Sequence, residues 1–404
     1  MAEKTKVSAR GREMPASPIR KLVPYADRAK ARGVKVYHLN IGQPDIETPE
    51  EMLAAYRNLD LKVVAYGPSG GLYDYVEALA GYYHRAGIAV SKDNILVTTG
   101  GSEALLFTYQ AICDPGDEII VPEPFYTNYA GIAVMCGVKV IPVTAKVEDN
   151  FALPAREEFE RLITDRTRAV VFSNPGNPTG VVYTAEEMAT LRQLALDHDL
   201  FLVADEVYRE FIYDPDCRHH SVLNLEGMND RAVMVDSVSK RYSACGARVG
   251  CIVTRNPDLT AAMLKFGQAR LCPPTVDQIA ARAALDAPAA YFERVVAEYR
   301  ARRDLMCKRL CAIEQVLCLT PKGAFYTVVR LPVEDAEKFA IFMLEDFDLD
   351  GETVMVAPAA GFYATPGAGR NEVRIAYVLN TKDLDRAMTV LEAGLATYRK
   401  RKGA

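Results

Sequence analysis

Between residues 94 and 253 the chain repeats one alternation. A short apolar run rich in valine, isoleucine or leucine ends in small or polar residues, and stretches with helical spacing such as 185–198 lie between several of the runs. The runs at 94–98, 118–121, 139–143, 168–172, 201–204, 232–235 and 249–253 are short enough for strands and apolar enough to be covered on both faces. Strands of that kind, joined through helices, pair in parallel, because a crossover returns the chain in the direction it came from. The middle of the chain is therefore confined to a mostly parallel sheet with helices on both faces, a three-layer αβα unit.

The flanks read differently. Residues 1–17 carry a basic bias and form an arm. A helix over 19–32 stops at Gly33, a strand over 34–41 follows, and Gly42-Gln43-Pro44-Asp45 breaks it into a loop. Helices are expected over 50–58 and 72–86, separated by the turn-rich stretch 66–71. A long charged helix over 289–315 marks a change of unit. Beyond it, strands at 325–329, 353–356 and 372–376 and helices at 336–344 and 382–399 indicate a smaller α+β domain. A chain of 404 residues exceeds what one simple core supports. The expected division is an N-terminal arm with part of the small domain over 1–48, a large domain over 49–288 and a small domain over 289–404.

Half the residues are hydrophobic and a quarter charged, with a net charge of -5, so nothing here would attract nucleic acid. No apolar run is long enough to span a bilayer, and no secretory signal is visible, so the expected location is the cytoplasm. The nine cysteines contain no C-x-x-C pair and read as reduced thiols. The His219-His220 pair lies in a polar loop and reads as a surface pair, and no metal site is expected.

Four stretches carry chemistry. In Ser237-Val238-Ser239-Lys240 a lysine follows a buried strand, where an ammonium is costly to desolvate. An amine that condenses with a carbonyl compound escapes that cost, whereas a lysine that snorkels to water is the competing reading. In Val203-Ala204-Asp205-Glu206-Val207-Tyr208 a carboxylate ends an apolar strand and needs a cation or a protonated nitrogen, such as the pyridinium of pyridoxal phosphate, unless it caps the next helix. Ser173-Asn174-Pro175-Gly176-Asn177-Pro178-Thr179-Gly180 is a tight turn that holds the Asn177 amide in one direction. Asn371-Glu372-Val373-Arg374-Ile375 puts an arginine inside an apolar strand, which reads either as an ordinary edge-strand arginine or as one placed to grip a planar carboxylate through two hydrogen bonds. A further unit, Thr98-Thr99-Gly100-Gly101-Ser102, joins a strand to a helix start and suits a phosphate.

The order and spacing of N-P-x-N-P-T-G, D-E-x-Y, S-x-S-K, the downstream G-x-R and V-R-I resemble the class I aminotransferases, pyridoxal-phosphate enzymes of the aspartate aminotransferase fold, over nearly all of the chain. The resemblance implies fold type I: an αβα large domain with a mostly parallel seven-stranded sheet, plus a smaller α+β domain. It implies that Lys240 joins the cofactor aldehyde and shuttles the proton, and that Asp205 pairs with the ring nitrogen while Tyr208 and Asn177 bond the ring oxygen. Gly101, Ser102, Ser237 and Arg248 would hold the phosphate, and Tyr126 would stack on the ring. Arg374 would bind the substrate α-carboxylate, helped by Asn177 and the Gly42 backbone. Tyr66 would reach the phosphate of a neighbouring subunit, which implies a homodimer with shared active sites. The chain departs from the pattern in Ser243-Ala244-Cys245-Gly246-Ala247-Arg248, which lacks the tryptophan of M-T-G-W-R, and in having Tyr126 where some relatives have tryptophan.

The expected activity is transfer of the amino group of an L-amino acid, first of all L-aspartate, to 2-oxoglutarate by a ping-pong mechanism. An aromatic or kynurenine-type aminotransferase and a C–S β-lyase share these motifs. A cofactor-sensing transcription regulator is disfavoured, since the residues before the first strand are too few for a winged helix. A dicarboxylate needs a second cation, for which Arg20 and Arg270 are candidates, Arg270 in a loop over 270–275 before a helix.

Overall fold

The structure is a computed structural model that describes residues 7–402; the first six residues of the expected arm lie outside the described residues. In chain order the strands are β1 (Lys35–His38), β2 (Ile95–Thr98), β3 (Glu118–Glu123), β4 (Lys139–Thr144), β5 (Thr167–Ser173), β6 (Phe201–Asp205), β7 (Ala232–Ser237), β8 (Gly250–Thr254), β9 (Tyr326–Arg330), β10 (Glu352–Met355), β11 (Ala357–Pro358) and β12 (Glu372–Ala376).

Strands β2 to β8 form one seven-stranded sheet in the order β2-β8-β7-β6-β5-β3-β4. The pairs from β4 through β7 are parallel, whereas β8 is antiparallel to both β2 and β7. The exception has a simple cause. The link from β7 to β8 contains only the one-turn helix Val238–Arg241 and turns, too little to carry the chain back across the sheet, so it reverses direction. Alternate residues feed two cores. Val171, Val203 and Val233 pack with Leu105, Phe107 and Ile132 on one side. Val170, Leu202, Ala204 and Met234 pack with Leu191, Leu194 and Tyr83 on the other. With helices on both sides this is the αβα arrangement expected.

The remaining strands make a three-stranded antiparallel sheet, β11-β12-β9, and a parallel pair, β1-β10, that ties the N-terminal strand to the C-terminal part of the chain. The helices Ala289–Cys311 and Thr381–Lys402 flank them.

Several expectations need correction. The helix expected over 19–32 begins only at Val23, because Pro24 sits in its first turn, and the preceding residues form turns in which the Arg20 N–H donates to the Ser17 carbonyl at 3.2 Å. Part of the expected arm is the helix Ala9–Glu13, capped by Ser8. The helix Pro257–Arg270 went unread although Asn256-Pro257 is a capping signal: the Asn256 Oδ1 accepts from the Asp258 and Leu259 N–H groups. Arg270 therefore ends a helix instead of lying in a loop. The helix expected after the 270–275 loop is present as Thr275–Ala284. His219 is not a surface residue. Its side chain is 9% exposed, 3.4 Å from the Glu206 carboxylate, and burial together with the nearby Arg209 pushes its pKa down to about 3.

Candidate active site

Asp205 ends β6, Ser237 ends β7, and Thr98 ends β2 two residues before the helix Gly100–Ile112, so these termini share one edge of the sheet. Open α/β sheets bind ligands outside such carboxyl ends. A cleft of about 540 Å³ lies there, and its lining includes Gly42, Gly101, Ser102, Tyr126, Asn177, Asp205, Tyr208, Ser237, Lys240, Arg248 and Arg374. Of the residues expected at the site, Tyr66 is elsewhere, and so is Arg270, one of the two candidate second cations. Tyr66 is 81% exposed, in an irregular segment where Leu61, Val63 and Val64 are also exposed.

Lys240 stands in the one-turn helix after β7, and its Nζ donates to the Gly42 carbonyl at 2.9 Å and lies 3.5 Å from the Cys245 sulfur. It makes no ion pair among the described residues. The Ser237 hydroxyl caps the turn, accepting from the Ser239 N–H at 3.1 Å and donating to the Val249 carbonyl at 2.9 Å. Arg248 takes a positive φ of 55° and donates to the Cys245 carbonyl. That conformation lays its guanidinium on Gly100, where an added Cβ would sit 2.4 Å from Nη2. Gly250 lets β8 approach closely, since a Cβ there would lie 2.6 Å from the Gly100 carbonyl carbon. The Arg248 guanidinium and the helix-start residues Gly101 and Ser102 thus line the same cleft as Ser237, a set suited to a phosphate.

Asp205 is 6% exposed. Its carboxylate accepts from the Tyr129 hydroxyl at 2.8 Å and from the Val207 N–H at 3.4 Å. Burial raises its pKa to about 6, against the opposing pull of the Tyr129 bond. The sequence reading missed Tyr129, although its spacing from Tyr126 on a helix start puts both rings near the same place; they meet edge to face at 5.6 Å. With a folded pKa above the unfolded one, native protein holds a proton at Asp205 that the unfolded chain has released, so this residue's contribution to stability falls as pH rises from about 4 through 6. For the cofactor-free protein, the wild-type minus Asp205→Asn difference in unfolding free energy should fall by about 2 kcal/mol between pH 4 and pH 8. A difference that does not vary with pH, measured by denaturant titration, would show that the carboxylate is already compensated.

Arg374 lies in the central strand of the small antiparallel sheet, paired with Ala357 and Val328, and not at an edge. It is 1% exposed. Nη1 donates to the Asn177 Oδ1 at 3.2 Å, Nη2 donates to the Asn40 carbonyl, and the guanidinium rests on the Tyr326 and Phe362 rings at 4.6 and 4.9 Å. All these partners are neutral. Arg374 has no carboxylate partner among the described residues, and its Nε has no hydrogen-bond partner. Tyr326, also missed, joins the two halves of the cleft. Its hydroxyl lies 2.9 Å from that of Tyr208 and donates to the Gly42 carbonyl at 3.4 Å. A Cβ on Gly42 would overlap this hydroxyl at 1.7 Å, which is why glycine stands there.

Arg270 does not reach the cleft. It lies 3.7 Å from Glu103 and donates to the Ser69 and Val97 carbonyls, bracing the loop before the helix Tyr73–Arg85. Arg20 does line the cleft.

The site has an anion cradle, a buried carboxylate, an amine and a buried guanidinium within one cleft, the equipment of an enzyme that acts on amino acids through an anionic cofactor. The sequence matches the aminotransferase class I and II family over residues 34–391. It is 31% identical over 374 residues to the aspartate aminotransferase of Bacillus subtilis, covering 90% of this chain and 92% of that one. It is also 31% identical to an aromatic-amino-acid aminotransferase of Thermococcus litoralis, with the same coverage. The aspartate aminotransferase of Thermus thermophilus solved with maleate superposes with a TM-score of 0.87 at 31% identity, covering 96% of this chain and all of that one. The chain belongs to the class I and II aminotransferases, and its αβα body with a mostly parallel seven-stranded sheet is fold type I.

Proposed function

We propose that the protein is a pyridoxal-phosphate-dependent aminotransferase that moves the amino group of L-aspartate to 2-oxoglutarate by a ping-pong mechanism. The observation that carries this reading is Arg374: a buried guanidinium with only neutral partners, in the same cleft as Lys240 and Asp205, calls for an anion, and the α-carboxylate shared by every amino acid and 2-oxo acid fits. Gly101, Ser102, Ser237 and Arg248 would hold the cofactor phosphate. Asp205, steadied by Tyr129, would pair with the ring nitrogen, Tyr208 and Asn177 would bond the ring oxygen, and Tyr126 would cover the ring face. When bound, this cofactor supplies an aldehyde that accepts an amino group and a protonated ring that draws off electrons released at Cα. The chain's own part is to seat the α-carboxylate on Arg374 and Asn177, to offer the Lys240 Nζ as the base that takes the Cα proton and delivers it again, and to hold Asp205 in place through the Tyr129 hydroxyl.

Residues 49–288 are on this reading the cofactor-binding domain, with 1–48 and 289–404 supplying the substrate side. The exposed apolar segment around Tyr66 supports a homodimer in which that tyrosine completes the neighbour's phosphate site. Aspartate is favoured because similar proteins are named aspartate aminotransferases and one of them was solved with maleate, a dicarboxylate. A donor screen with 2-oxoglutarate and saturating cofactor tests the assignment. Aspartate should give the highest kcat/KM; much faster turnover of tyrosine or alanine would overturn the aspartate assignment, and pyruvate with ammonia from a cysteine conjugate would mark a β-lyase.

A further inference from the structure

The cleft lining carries four cationic side chains, Arg20, Lys240, Arg248 and Arg374, against one carboxylate, Asp205. On the proposed function Arg248 meets the phosphate, Arg374 the α-carboxylate and Lys240 the reacting carbonyl. Arg20 is left over. Its side chain is exposed and makes no ion pair or hydrogen bond among the described residues.

The backbone around Arg20 is nevertheless fixed. The Arg20 N–H donates to the Ser17 carbonyl at 3.2 Å, and its own carbonyl accepts from the Val23 N–H at 3.0 Å. Pro18 is buried against Gly361, where a Cβ would lie 2.3 Å from the proline Cβ. Asn40, fully buried, ties this turn to the carboxylate site. Its side-chain Nδ2 donates to the Ile19 carbonyl at 3.3 Å, while its own carbonyl accepts from Arg374 Nη2. One residue thus sets the spacing between the backbone that carries Arg20 and the guanidinium of Arg374. Asn40 bonds one guanidinium and the backbone beside the other, and neither Arg20 nor Arg374 has a carboxylate partner among the described residues; two such cations on one cleft match a substrate with a carboxylate at each end.

We propose that Arg20 is a specificity-determining residue that receives the distal carboxylate of a four- or five-carbon dicarboxylic substrate. The inference rests on the aminotransferase reading of the cleft. It also separates the two arginines that the sequence left equal, since Arg270 in the same chain is held by Glu103 outside the cleft lining.

Binding to the holoenzyme tests it without turnover. Succinate and its monocarboxylate counterpart butyrate would be titrated calorimetrically at low ionic strength into wild type, Arg20→Lys and Arg20→Gln. Arg20→Gln should weaken succinate about tenfold and butyrate by less than about twofold, with Arg20→Lys between, and added salt should erode the wild-type preference. The kcat/KM for aspartate should fall in parallel while that for alanine stays level. Wild-type protein that binds succinate no tighter than butyrate, unchanged succinate affinity in Arg20→Gln, or equal weakening of both ligands would overturn the proposal. If wild-type protein transaminates no amino acid, the functional reading fails, whereas succinate selectivity lost in Arg20→Gln would still establish the distal-carboxylate site. Because the Arg20 side chain has no partner among the described residues, the variants should melt with the wild type.

Discussion

Replacing Lys240 with alanine should reduce steady-state turnover by about 10⁴-fold or more and remove the absorbance band of the lysine-bound cofactor. General acid–base transfer by a positioned side chain contributes about 10² to 10⁴ in rate, and loss of the amine that joins the cofactor adds to this. The fold should survive. Lys240 is only partly buried and its protein contacts are the bond to the Gly42 carbonyl and the contact with Cys245, a loss of about 1 kcal/mol. The comparison to make is therefore between variant and wild type of equal melting temperature, by absorbance and by turnover. Arginine at 240 should not rescue activity, since a guanidinium remains protonated and cannot act as the base. Turnover and band persisting in Lys240→Ala would remove this residue from the chemistry and with it the main support for the mechanism.

The second large effect is expected at Arg374. Substitution by leucine should raise KM for every amino-acid and 2-oxo-acid substrate by about 100-fold, because two charge-assisted hydrogen bonds to the carboxylate disappear. The stability outcome runs against intuition. A guanidinium only 1% exposed, with no carboxylate partner among the described residues, costs several kcal/mol to desolvate. Its bonds to Asn177 and Asn40 and its packing on Tyr326 and Phe362 return only part of that cost. Arg374→Leu should therefore melt at or above the wild-type temperature in the absence of substrate, while wild type gains more than the variant when a dicarboxylate is added. An unchanged KM would mean the carboxylate is held elsewhere. A variant that fails to fold would make Arg374 a strut and not a binding residue.

Some of the site was legible along the chain because its signals are local. Asp205 and Ser237 end apolar strands, Lys240 follows one in a single turn, and the Gly100-Gly101 pair opens a helix, so residue type and strand position together place each of them at the same edge of a parallel sheet. The contacts that tune these residues were not legible. Tyr129 and Asp205 are 76 positions apart, Tyr208 and Tyr326 are 118 apart, and Asn40 and Arg374 are 334 apart. Tyrosine and asparagine in such places carry no mark that separates a site partner from ordinary core. His219 was misread for the same reason, since a polar local sequence does not show that the loop folds down onto Glu206.

The sequence by itself determined the layered architecture, through short apolar runs separated by helices, and the kinds of reactive group available, through motifs that each span fewer than about ten residues. Tertiary structure alone decided which charges are compensated. Arg20, Arg270 and Arg374 are indistinguishable as residue types, yet one is exposed on the cleft wall, one is braced by Glu103 and one is buried among neutral groups. The physical reason is that the free energy of a charge depends on its burial and its partners, and both are set by packing between segments far apart in the chain.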